Sequence, residues 1–121
     1  MTQISIQKES KSFALEVIKL YKYLVDVNNE FVLSKQMLRS GTSIGANVRE
    51  SKNAQSRNDF LNKINIALKE ADETQYWLEL LHESGYLPDD MYNNIYNQCS
   101  RLVVTLVNII KTIKNNIDVA K

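Results

Sequence analysis

Apolar residues recur at three- and four-residue intervals along nearly the whole chain, the period of one face of an α-helix. Phe13, Val17, Leu20 and Leu24 predict a first helix over about 10–27, broken by Asn28-Asn29 because Asn favours turns and helix ends. Leu33, Met37, Ile44 and Val48, with Ser40 on the same face, predict a second over about 31–54. The third stripe is Phe60, Ile64, Ala67, Ala71, Thr74, Leu78 and Leu81, predicting a helix over 56–84. Ser56 is placed to cap it, with Asp59 three residues on in an acidic version of the capping box. Gly85 supplies a positive-φ terminator and Pro88 blocks continuation. Asp89 or Asp90 is expected to cap a fourth helix over 89–116, carrying Met91, Ile95, Leu102, Leu106, Ile109 and Ile113. Short connections make consecutive helices antiparallel neighbours. The expectation is one all-α domain over residues 1–121, an antiparallel up-down-up-down four-helix bundle.

Composition narrows this. At 121 residues and 44% hydrophobic the chain can bury a core of its own. Three Gly and one Pro are too few for a turn-rich β sandwich or barrel. A single Cys, Cys99, excludes an internal disulfide framework and a Cys-rich zinc site, and a single His, His82, excludes most His-based metal sites. No apolar run approaches the roughly 18 residues that cross a bilayer, and the first residues lack signal-peptide character. A reduced, soluble, cytoplasmic protein without cofactor or metal and without a membrane partner is expected.

Net charge is only +1, but the charge is unevenly placed. Residues 31–69 hold seven bases against Glu50 and Asp59, whereas residues 70–90 hold seven acids and no Lys or Arg. In an up-down bundle, Lys8, Lys11, Arg49, Lys52, Arg57, Lys63, Lys111 and Lys114 gather at one end. Asp26, Glu30, Glu79, Glu83, Asp89 and Asp90 gather at the other. Helix-end electrostatics favours part of this, at about 0.3–1 kcal/mol per group, but Glu79 and Glu83 near a helix C-terminus oppose it. The basic end makes Arg49, Lys52, Arg57, Lys63, Lys111 and Lys114 candidates for nucleic-acid phosphates. A solvated charged surface is the alternative.

Residues 39–50, RSGTSIGANVRE, place two glycines inside a helix, at about 1 kcal/mol each relative to Ala. Gly41 and Gly45 lie one turn apart and form a groove that another helix can approach, from the same chain or from a second subunit. Val103, Val107 and Ile110 widen the apolar surface of the fourth helix beyond one stripe. With Trp77 and the two glycines they are candidate subunit-interface residues, the other reading being packing within the bundle. Antiparallel pairing of the middle helices, with partner numbers summing to roughly 110, sets Arg39 near Glu70 or Glu73 and Asn47 near Lys63. A polar network of Arg39, Ser43, Asn47, Glu50, Glu70 and Glu73 is expected along that seam.

The run LSKQMLRSGTSIGANVRES, followed by NDFLNKINIALKEADETQYWLELLHESG, resembles the four-helix-bundle family named for proteins encoded in 23S rRNA intervening sequences, also called S23 ribosomal protein. The accessory protein of diversity-generating retroelements is related to it. The matching positions are Arg39, Ser40, Ser43, Ile44, Ala46, Asn47, Glu50, Asp59, Phe60, Lys63, Ala67, Glu70, Glu73, Tyr76, Trp77 and Leu78. The resemblance spans about Phe13 to Lys114 and implies a bacterial bundle assembling as a homopentameric ring. For the retroelement branch it further implies a basic surface binding RNA or DNA and a reverse transcriptase partner. This chain departs from that branch in its near-neutral charge.

Catalytic patterns are weak. Glu79-x-x-His82 is half of a di-iron signature that needs the motif on two helices and two further carboxylates. Cys99 falls on the apolar part of the fourth helix, as a buried thiol would. Tyr76 and Trp77 sit on or beside a core stripe, where packing or an interface anchor is expected. The sequence therefore predicts a non-catalytic homo-oligomer that binds nucleic acid or a nucleoprotein through its basic end. The alternative is a protein-interaction scaffold that binds no nucleic acid and docks a basic protein, such as a reverse transcriptase or helicase, at its acidic end through Glu79, Glu83, Asp89 and Asp90.

Overall fold

A computed structural model describes residues 2–120, with side chains for 5–115. It comprises four helices: α1 (Thr2–Asp26), α2 (Leu33–Ser51), α3 (Arg57–Glu83) and α4 (Asp89–Ala120). No strand occurs among the described residues, and no helix is long and apolar enough to cross a membrane. Each helix packs against its chain neighbours, and α1 closes the ring against α4; the α2–α3 interface is the most extensive and α1–α4 the least. The antiparallel register of α1 and α4 is plain from two shallow hollows between them, one lined by Phe13 and Leu102, the other by Leu20 and Ile95. The core lies between all four helices, where Val17, Leu24, Met37, Ile44, Ala67, Leu78, Leu81 and Leu106 are fully buried.

The expected stripes of α1 and α3 are buried throughout, and the helix ends show the chemistry that sets them. Asn29 adopts φ 53° after α1, a left-handed position that Asn tolerates better than most residues. Ser56 accepts the Asp59 N–H at 3.0 Å, while the Asp59 carboxylate reaches back to the N–H of Gln55 at 3.2 Å. After α3, Gly85 takes φ 91°, and the N–H groups of Tyr86 and Leu87 both turn back to the carbonyl of Leu81.

Several boundaries differ from the sequence reading. α1 begins eight residues earlier than expected because Ile6, only 1% exposed, extends the core stripe through a polar stretch, with Ser10 buried between Ile6 and Phe13. α2 is shorter than 31–54. Its last backbone bonds tighten to three-residue spacing, Lys52 to Arg49, Asn53 to Glu50 and Ala54 to Ser51, so residues 52–54 form turns. α4 runs past 116 to Ala120. Neither Asp89 nor Asp90 caps α4 as expected. The Pro88 carbonyl receives the Tyr92 N–H, Asp90 accepts from the adjacent Met91 N–H at 2.9 Å, and the Asp89 carboxylate is turned to His82.

Candidate nucleic-acid interface

The two ends of the bundle differ in charge because antiparallel order carries the uneven sequence directly into space. Arg57 opens α3 and Glu83 closes it, the two ends of a 27-residue helix, about 40 Å apart at the rise of an α-helix. Around Arg57 stand Arg49 in the last turn of α2 and Lys52 at its C-cap, with Lys111 and Lys114 on α4; all five are exposed. Lys8 and Lys11 of α1 are exposed on the same half of the bundle. A groove of about 330 Å³ between α1 and α2 is lined by Lys11 and Arg49 together with Thr42 and Gly45.

Lys63 differs from the other candidates. Its Nζ lies 2.8 Å from the Glu50 carboxylate, and it is the more sheltered partner. The hydrogen bond and the charge of Glu50 hold its pKa above the ordinary lysine value, so it is a partly neutralised cation rather than a free one.

The predicted polar network does not form as expected. Arg39 is exposed and donates to Gln36 Oε1 at 3.1 Å, and among the described residues it makes no ion pair with Glu70 or Glu73. Asn47 bonds within α2, to the carbonyl and hydroxyl of Ser43, and not toward Lys63. Only Glu50 crosses to α3. The cause is register: observed partners Glu50–Lys63 and Ser40–Thr74 lie several residues, about one turn, beyond the expected alignment. The buried link is the hydroxyl pair of Ser40 and Thr74, at 2.8 Å. Glu70 Oε1 and Trp77 Nε1 are buried without a hydrogen-bond partner.

The candidate subunit-interface residues divide. Gly41 and Gly45 serve the close approach of α1 in the same chain: a Cβ on Gly41 would sit 2.9 Å from both Val17 methyls, and one on Gly45 3.3 Å from the Ser10 carbonyl oxygen. Ile110 is buried at 8% exposure within the chain's own core. Trp77 and Val103 pack partly on that core. Val103 and Val107 are half-buried, and between them Val104 is 59% exposed.

Residues with catalytic potential are engaged elsewhere. Glu79 accepts the Tyr96 hydroxyl at 3.0 Å, whereas His82 Nε2 lies 2.7 Å from Asp89 and its ring stacks on Tyr92 at 4.1 Å. Glu79 and His82 thus point to different partners instead of sharing a ligand. No group of three or more potential metal ligands occurs among the described residues. Cys99 is fully buried, and burial together with the charge of Asp72 pushes its thiol up to about 12.

One polar site escaped the sequence reading. Glu30, counted among acidic-end charges, is 8% exposed and caps α2: its carboxylate accepts the N–H groups of Val32, Leu33 and Ser34 at 3.3, 3.0 and 2.7 Å. Burial opposes ionisation of this group, but the bonds from Ser34, Leu33 and Val32 outweigh it, and its pKa falls below the ordinary carboxylate value. A glutamate directly ahead of the hydrophobic run Phe31-Val32-Leu33 was the available signal.

No curated protein matches the chain. A crystal structure of a protein with unknown function from the S23 ribosomal protein family of Bacteroides thetaiotaomicron is similar at 52% identity, with a TM-score of 0.90, over 92% of this chain and 99% of that one. The family model described as 23S rRNA-intervening sequence protein matches residues 2–108. With the family model matching nearly the whole chain and the fold in agreement, the chain belongs to the 23S rRNA-intervening sequence protein family.

Proposed function

We propose that this protein is a non-catalytic, homo-oligomeric binding module that engages the phosphates of RNA or DNA through its basic end. The observation that carries the reading is the gathering of exposed Arg49, Lys52, Arg57, Lys111 and Lys114 at one end of a chain whose net charge is only +1. Attraction to a polyanion then belongs to that end and not to the molecule as a whole. Self-association, in five copies as the family resemblance implies, is supported by exposed Val104 beside half-buried Val103 and Val107.

Fluorescence anisotropy with labelled RNA and duplex DNA tests the binding. Affinity falls steeply with salt, and each duplex phosphate neutralised adds about −0.9 to the logarithmic slope. The variant Lys52→Glu/Arg57→Glu/Lys111→Glu loses binding while light scattering shows its oligomer intact. An absence of wild-type binding at about 50 mM salt, where such contacts are strong, overturns the reading. A monomer at micromolar concentration removes its oligomeric part.

A further inference from the structure

The end opposite the basic cluster combines two features that seldom coincide, exposed apolar side chains and a ring of carboxylates. Seven large hydrophobic residues are exposed among those described, and four of them stand on this one end: Val32 at 71%, Val27 at 61%, Phe31 at 53% and Tyr86 at 38%. The other three, Leu15, Tyr76 and Val104, lie within three different helices. Single exposed apolar residues are ordinary, but a cluster rimmed by charge marks an interaction surface.

The backbone beneath the cluster is firmly held. Glu30 ties down the amides of Val32, Leu33 and Ser34, and its own N–H turns back to the Leu24 carbonyl. The Asn28 side-chain amide donates to the Tyr86 carbonyl, joining the α1–α2 loop to the α3–α4 loop. Leu87, 2% exposed, anchors the second loop in the core. Side chains displayed on such a frame lose little further freedom when a partner covers them.

The rim consists of Asp26, Glu83, Asp89 and Asp90, all exposed. Asp26 is the last residue of α1 and Glu83 the last of α3. A carboxylate at a helix C-terminus opposes the helix dipole, so these two residues hold positions that stability alone would give to cations. Local rules broken in this way are a mark of binding sites. The cations nearest in sequence, Lys22 and Lys35, stand about one turn back along their helices.

We propose that this acidic-apolar end is a docking surface for a cationic amphipathic segment of another protein, whose apolar side chains cover Val27, Phe31 and Val32 while its Lys or Arg residues reach Asp26, Glu83 and Asp90. Charge complementarity selects that occupant. An anionic lipid surface is repelled by the rim. The basic end of a second copy offers cations, but among the described residues none of the exposed large hydrophobics stands at that end.

The test uses the full chain and a fluorescent helical peptide of Leu and Lys at amphipathic spacing. A Leu–Glu peptide of the same pattern and an all-Lys peptide are the comparisons. The Leu–Lys peptide binds, shifts the amide resonances of residues 26–34 and 83–90, and outcompetes both comparisons at least tenfold. Phe31→Ser/Val32→Ser weakens binding tenfold or more with an unchanged melting curve. Asp26→Lys/Glu83→Lys does the same without loss of stability, because each new cation suits its helix terminus. Equal binding of the all-Lys peptide, indifference to Phe31→Ser/Val32→Ser, or resonance shifts elsewhere on the bundle would overturn the proposal. So would dissociation of the homo-oligomer by Phe31→Ser/Val32→Ser, which would assign the surface to a second copy.

Discussion

The hydroxyls of Ser40 and Thr74 meet at 2.8 Å across the α2–α3 interface, each with no solvent exposure. The Met37 carbonyl lies 3.4 Å from the Ser40 hydroxyl and the Glu70 carbonyl 2.7 Å from that of Thr74. Each hydroxyl has one hydrogen, so the pair forms a short chain that ends on a backbone oxygen. Ser40→Ala and Thr74→Val each cost about 1 kcal/mol, the net worth of a buried hydrogen bond. The double variant costs less than the two together, since the second change no longer strands a partner. Urea unfolding of the four proteins measures the difference, and strict additivity would show that the hydroxyls do not depend on one another.

Gly41 has no room to grow. Val17 is fully buried and stiff at χ1, so a methyl group placed 2.9 Å from both its branches cannot be accommodated by rotation. Gly41→Ala costs about 1–3 kcal/mol from overpacking, offset in part by about 1 kcal/mol of helix propensity. Combining it with Val17→Ala recovers stability relative to Val17→Ala alone, because the new methyl fills the space that was opened. Chemical denaturation of the three variants checks the order.

Glu30 makes stability depend on acid pH. Its folded pKa lies below its unfolded value, so its contribution is complete above the unfolded value, near 4.5, and disappears as pH falls through the folded one. Glu30→Gln is therefore less stable than wild type near neutrality, by about 1 kcal/mol for a lost cap, and the two converge in acid. Melting curves across that range give the result, and a constant gap would assign the effect to packing instead of charge.

Cys99 is inert in the folded protein. Its thiol, pushed up to about 12, sits 3.4 Å from the Ala71 carbonyl and is closed off from solvent. A disulfide reagent labels it only as fast as the bundle unfolds, and denaturant accelerates the reaction in step with loss of helical signal. Rapid labelling in native buffer would mean that the α3–α4 seam opens locally.

Much of this was legible in the sequence. The α3 stripe from Phe60 to Leu81 could be read position by position, since a 3.6-residue period depends on nothing outside the helix. The segregation of charge was legible as well, because it follows from chain order and antiparallel packing alone. Contacts that depend on the depth at which two helices meet were not. Ser10 occupies a core position because Gly45 brings α2 within reach of its backbone, a relationship invisible in either segment by itself. Arg39 was expected to face carboxylates, but a shift of about one turn in the hairpin aligned Ser40 with Thr74 and left the guanidinium in water. Glu30 resembled a surface charge because its role lies in the amides that follow it, not in its neighbours along a stripe.

The unequal seams of the bundle have a mechanical consequence. The long α2–α3 interface acts as a spine, and the narrow α1–α4 contact is the edge along which the ring would part first. Thermal opening at that edge would swing α1 and α4 outward like covers while the motif-bearing hairpin stays shut, so amide exchange should spread from the outer helices inward.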